Sequence, residues 1–137
     1  MARFTHLLSI SLILVFLPAC SVYIGAPMSW KTRKIPVPEG DLAPAISTTS
    51  NIAFSSDRNS SLAALAANPK LNPEEQLYLL AIVKRLGGFS SGKADVLVAL
   101  AKNPAVTPQA RREISELVPK LSLFSSDVAR VATALGE

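Results

Sequence analysis

The feature that most constrains the fold of this chain is an internal repeat with a period of 35 residues. The triplet Phe-Ser-Ser occurs at 54–56, at 89–91 and at 124–126. The segments that begin at Leu62 and Asn68 match those that begin at Leu97 and Asn103. The array holds about 2.4 copies of the unit. A period of this length predicts helical units that bury their apolar faces against their neighbours.

The sequence of each unit predicts a short helix that ends at Asn-Pro and a longer helix that follows it. The serines of the triplet are expected to cap the short helix, and Pro69 prevents its continuation because proline cannot donate the next hydrogen bond. Asn72 then serves as an N-cap, with Pro73 at the first helical position and Glu75 at the third. Thr107 and Pro108 repeat this start.

The longer helices carry the candidate core. In the second copy, apolar residues recur at i, i+3, i+4 and i+7, which predicts one buried stripe, and polar residues occupy the other face. The stripe comprises Ile114, Leu117, Val118 and Leu121, and the solvated face comprises Arg111, Arg112, Glu113 and Glu116. The longer helix of the first copy is apolar on nearly every side, so we expect it to be the central helix, with Leu80 in the core.

The pattern Leu-Ala-x-Asn-Pro, followed by Asn-Pro or Thr-Pro, resembles the variant leucine-rich repeats and related HEAT-like helical repeats of bacteria. The resemblance covers residues 54–137. It implies an all-α, right-handed, solenoid-like domain and gives no reason to expect a cofactor or a metal.

A targeting segment is predicted at the start of the sequence. Arg3 precedes an eleven-residue apolar run at 7–17, and the small residue Ala19 follows, which is typical of a secretory signal. Eleven residues rise only about 16 Å as a helix, roughly half of a bilayer's hydrocarbon core. A cleaved signal is therefore favoured over a spanning helix.

The residues Leu17, Pro18, Ala19 and Cys20 resemble the lipobox of bacterial lipoproteins. The resemblance implies a signal peptide at 1–19, acylation of the Cys20 thiol and attachment to the bilayer through several acyl chains. Since Ser21 and not Asp follows, it also implies the outer membrane, with the domain facing the periplasm. An ordinary cleaved signal and an uncleaved short anchor are the alternatives.

Residues 20–53 are predicted to be a lipidated, flexible tether, because prolines and a Ser/Thr run interrupt them and no periodicity is sustained. A basic cluster beside an aromatic residue lies within this segment: Trp30, Lys31, Arg33 and Lys34. Three interpretations are open, namely contact with anionic lipid, a solvated basic linker, and a segment that becomes ordered on a partner protein.

The composition argues against catalysis in the mature domain. Removal of the leader takes away the sole histidine and leaves 13 Lys and Arg against 10 Asp and Glu, a net charge of +3. Cys20 is the sole cysteine and is expected to carry the lipid. Carboxylate-only hydrolysis of the cell wall is the enzymatic alternative, but Glu74, Glu75 and the aspartates lie at or near predicted helix starts, where the helix dipole explains them. Glu113 and Glu116 belong to the predicted solvated face. We expect no enzyme, no metal site and no nucleic-acid partner.

A lipid-anchored adaptor or assembly factor for another envelope protein is the leading functional hypothesis, because helical repeats expose surfaces for proteins. The unpaired third copy leaves Val128, Val131 and Leu135 either as a docking edge or as a cap on the core. A pilotin-like secretion-system lipoprotein and an exclusion or immunity factor are alternatives of the same kind.

Overall fold

The computed structural model describes residues 34–136, and within them the chain is all-helical, as the repeat predicts. Six α-helices follow one another: α1 (Ala43–Ser50), α2 (Ser55–Ala66), α3 (Pro73–Arg85), α4 (Ser90–Ala101), α5 (Pro108–Leu117) and α6 (Ser125–Leu135). A 3₁₀ turn at Val118–Lys120, which contains Pro119, ends α5. No helix in this range is long and apolar enough to cross a membrane.

The helices form two layers. In what we call the A layer, α2 packs on α4 and α4 packs on α6; in the B layer, α3 lies between α1 and α5. The A helices begin at Ser55, Ser90 and Ser125, so successive starts differ by the sequence repeat of 35 residues. The chain alternates between the layers, which gives three A helices and three B helices in the described range.

The structure corrects the predicted tether. Its last part forms α1, which packs on both α2 and α3, with Ala43 and Ile46 fully buried. The helical domain therefore starts before residue 54. The sequence of α1 is poor in apolar residues, and tertiary contacts supply the stability that its periodicity does not predict. Residues 20–33 lie outside the described range.

The predicted caps at the starts of α3 and α5 are confirmed, and those of the A helices are wrong. The predicted difference in length is also wrong for the second unit, because α4 has 12 residues and α5 has 10. Asn72 and Glu75 form a reciprocal capping box on α3, and the Thr107 hydroxyl accepts the Ala110 N–H. The A helices, by contrast, have phenylalanine at the N-cap and no side-chain cap, since the serines occupy the first two helical positions. A side chain accepts these N–H groups only from the extended residue before the helix.

The core runs between the layers and is centred on α3, as predicted. Leu80 and Leu117 are each 1% exposed. Gln76 on α3 reaches the next unit, because its amide donates to the Ala105 carbonyl (2.8 Å) and accepts the Thr107 N–H (2.9 Å). Buried polar groups that are bonded in this way link successive units without the cost of an unpaired donor or acceptor.

Arg111 and Glu113, on the predicted solvated face of α5, are only partly exposed, and Arg111 makes contacts between helices. Its guanidinium is half-buried and donates to the carbonyls of Ala101 (3.1 Å) and Leu135 (3.2 Å). These carbonyls lie at the carboxyl ends of α4 and α6, where a cation is favoured. Arg111 therefore ties α5 to the ends of two A helices.

Candidate functional site

The candidate residues before the domain lie mainly outside the described range. Cys20, Trp30, Lys31 and Arg33 are all in the segment 1–33. Lys34, the last member of the basic cluster, is exposed and lines a cleft beside α1.

The structure separates the three candidate residues on α6. Val131 is fully buried and closes the core, so the expectation that it belongs to a docking edge is wrong. Val128 and Leu135 are only half-buried. Together with the half-buried Ala132 they fall at i, i+4 and i+7, which places all three on one side of the helix. We call Val128, Ala132 and Leu135 the α6 stripe.

The α6 stripe lies at the end of the A layer. In the described part of the chain α6 packs chiefly on α4. The buried Val131 lies at i+3 from Val128, on the same side of α6 as the stripe, and Leu135 packs against the core from that side. The start of α6 is held in place by polar contacts, since the Ser90 hydroxyl donates to Asp127 (2.5 Å) and accepts the Phe124 N–H (2.9 Å). The stripe is therefore an apolar surface on a well-positioned helix.

An exposed ion pair lies beside this contact between α4 and α6. Arg130 donates to Asp95 at 2.6 Å and to Asp127 at 3.2 Å. The hydrogen bond to Asp95 and the charge of that carboxylate raise the pKa of Arg130 above its ordinary value. Since arginine is already charged at every physiological pH, this pair sets the register of two helices and does not act as a switch.

A second surface lies where the B helices lead into the A helices. The three connecting loops, at 51–54, 86–89 and 121–124, share one edge, because the starts of the A helices are neighbours. The hydrogen bond between Ser90 and Phe124 brings the start of α4 to the third loop. The Arg58 guanidinium donates to the Gly87 carbonyl at 2.9 Å, which brings the start of α2 to the second loop. We call the loops and the helix turns that flank them the aromatic edge.

Each loop of the aromatic edge ends in an exposed phenylalanine. Phe54, Phe89 and Phe124 are 74%, 78% and 71% exposed. The phenylalanines recur with the repeat, but their exposure was not predicted. It depends on where the loops meet, for which the sequence pattern carries no local signal.

A cleft of about 660 Å³ lies at the same edge, between α1 and α3. Its basic members are Lys34, Arg58 and Arg85, and no carboxylate of the described residues lines it. Ile35, Val37 and the end of α3 contribute apolar side chains to its lining. The arrangement is suited to holding anionic or amphipathic groups by charge and apolar contact.

No family model matches the chain, and neither the curated proteins nor the solved structures give a match. Only the residues and their geometry therefore bear on the function.

Proposed function

We propose that this chain is a lipid-anchored lipoprotein of the bacterial envelope that binds another envelope protein as an adaptor or assembly factor. The lipobox-like residues 17–20 support the anchor, and Cys20 would carry the acyl chains. The helical repeats support the binding role, because stacked helices offer side chains from several units to one partner.

The α6 stripe is the observation that carries the binding role. A half-buried apolar stripe on the last helix of a layer can accept a further helix by the packing that joins the A helices to one another. A partner helix on the stripe would cover the part of this side of α6 that the core leaves half-exposed. Val128 and Leu135 lie near opposite ends of α6, so contacts at both positions require a segment that follows the whole helix.

The test is site-specific photo-crosslinking in native membranes. A photoreactive amino acid is placed at Val128 or at Leu135 of the full chain, and a matched control is placed at Ala64, which is exposed on α2. We expect one discrete protein adduct from both positions on α6 and none from Ala64. Adducts of the same pattern from all three positions, or no adduct from α6, would contradict the binding role.

The anchor is tested separately. Intact-mass measurement of the chain purified from membranes should show acylation at Cys20, and Cys20→Ser should remove it. An unmodified Cys20 in the native chain would contradict the anchor and leave the crosslinking result to be judged by itself. The identity of the adduct would distinguish a secretion-system partner from the target of an exclusion or immunity factor.

A further inference from the structure

The large apolar side chains that are exposed in residues 34–136 lie together. They are Val37, which is 50% exposed, and the phenylalanines Phe54, Phe89 and Phe124. The three phenylalanines end the loops of the aromatic edge, and Val37 lines the cleft at that edge. An apolar surface confined to one edge of a small domain marks an interaction site more strongly than scattered apolar residues do.

The repeat sets the geometry of this surface. Neighbouring helices of a layer pack about 8–10 Å apart, so the three phenylalanines form a row with about that spacing. Serines follow each of them, and Gly87 and Gly88 precede Phe89. Each ring is more than two-thirds exposed and is followed by polar serines, so the three rings project as separate groups. Separate projecting rings suit a fluid apolar phase better than a folded partner, which needs matching shape.

The path of the chain also favours a lipid surface over a folded partner. Lys34, the first described residue, lines the cleft at the aromatic edge, so the segment from Cys20 joins the domain there. Only residues 21–33 separate the two, and covalent geometry limits their reach to about 50 Å. An acylated Cys20 would therefore tether the domain to the lipid surface from this edge.

The charge of the aromatic edge is complementary to anionic lipid. Its loops and flanking turns carry five basic residues, Arg58, Lys84, Arg85, Lys93 and Lys120, and two acidic residues, Asp57 and Asp127. Asp127 is 5% exposed and bonded to Ser90 and Arg130, so its charge is already paired. Basic residues close to an anionic leaflet strengthen binding, and aromatic rings favour the interface.

We infer that the aromatic edge is a bilayer-contact surface, in which Phe54, Phe89 and Phe124 enter the interfacial region of an anionic leaflet and the surrounding cations meet lipid phosphates. This inference rests on the proposed lipid anchor. It gives the domain one orientation, with the opposite loops, which contain Lys70 and Lys102, directed away from the membrane. In that orientation the axis of α6 runs away from the bilayer, and the α6 stripe faces sideways toward a partner.

The experiment measures the depth of single tryptophans in the full chain. Phe89→Trp is placed in a Trp30→Phe background, and the matched control Lys102→Trp lies at the other end of α4, about 20 Å away. Each variant, as the acylated protein, is reconstituted into vesicles of phosphatidylethanolamine and phosphatidylglycerol with brominated acyl chains. We expect loss of most of the emission from Phe89→Trp, with a blue shift, and little loss from Lys102→Trp.

The outcomes separate the inference from the proposed function. If the acylated chain floats with the vesicles but both variants are quenched equally, or neither is, the bilayer-contact surface is wrong while the anchor holds. If Cys20 carries no acyl chain, the anchor is wrong, and with it the premise of the inference. Selective quenching of Phe89→Trp that weakens in vesicles of phosphatidylcholine alone supports both the aromatic and the basic parts of the surface.

Discussion

The Glu75 carboxylate accepts the backbone N–H of Leu42 at 2.7 Å, although the two residues are 33 positions apart. The same oxygen accepts the Ala43 N–H at 3.0 Å, and the other accepts the Asn72 N–H at 2.9 Å. One side chain thus satisfies donors at the starts of two B helices, α1 and α3. Glu75 is 1% exposed, so solvent has no access to these hydrogen bonds.

Glu75→Gln should destabilise the domain by about 2 kcal/mol, because the amide keeps one acceptor oxygen and turns a donor toward backbone N–H groups. Urea denaturation followed by helical circular dichroism measures the change. Glu74→Gln is the matched control, since Glu74 is the exposed neighbour in the same turn and its replacement should alter stability by no more than about 0.5 kcal/mol. Equal effects of the two substitutions would contradict this role of Glu75.

Ile46→Ala tests whether α1 belongs to the domain. Ile46 is fully buried in the core, so its truncation should cost about 2–4 kcal/mol. Thr48→Ala, at an exposed position of the same helix, should be nearly neutral. If the melting temperature of Ile46→Ala matched that of Thr48→Ala, α1 would be dispensable and the flexible tether would extend to residue 53 after all.

Features of the fold that depend on local interactions follow from the sequence, whereas a helix that depends on a distant contact does not. The period of 35 residues predicts the A helices and their register, and the Asn72 capping box predicts the start of α3, because both signals are local. The helix α1 gives no such signal. Its start is stabilised by a carboxylate from α3, and that contact exists only after the layers have formed.

The site was predicted less completely than the fold. The position of Val131 in the apolar stripe of α6 could not tell a docking residue from a core residue, since both are apolar and share the helical period. Arg111 was assigned to solvent by the same periodicity, but its length lets it reach carbonyls at two helix ends. The exposure of the phenylalanines follows from where the loops meet, which the sequence alone does not show.

Asn103 and Asn68 occupy equivalent positions in two units but differ in their contacts. The Asn103 amide, 3% exposed, donates to the carbonyls of Ala66 (2.7 Å) and Asn68 (2.8 Å), which joins the ends of α2 and α4. The Asn68 side chain, in contrast, accepts the Lys70 N–H at 2.9 Å within its own turn. Asn103→Ala should therefore cost about 2–3 kcal/mol, and Asn68→Ala less than about 1 kcal/mol.

Thermal and urea unfolding of the two asparagine variants measure this difference. The reverse order, with Asn68→Ala the more damaging, would show that the local turn contributes more than the bond between units. Equal losses of stability in the two variants would indicate that the Asn-Pro motif acts only by ending the helix.

Gly92 is required because Asn59 of the neighbouring A helix lies against it. A Cβ at residue 92 would lie 2.1 Å from Asn59 Nδ2 and 3.1 Å from Asn59 Cβ. Alanine is the better helix former by about 1 kcal/mol, but the buried Asn59 has little room to move. Gly92→Ala should therefore destabilise the domain by about 1–2 kcal/mol, as overpacked contacts do.

A double-mutant cycle with Asn59→Ala isolates this contact. Asn59 Oδ1 is buried and has no hydrogen-bond partner among the described residues, so its removal should cost little. In the Asn59→Ala background only the 3.1 Å contact between the two Cβ atoms remains, so Gly92→Ala should be much less destabilising than in the native chain. Gly87→Ala controls for the substitution itself, since no atom lies within 4 Å of a Cβ there. Additive effects of the two changes would show that the packing of α2 against α4 does not select glycine at residue 92.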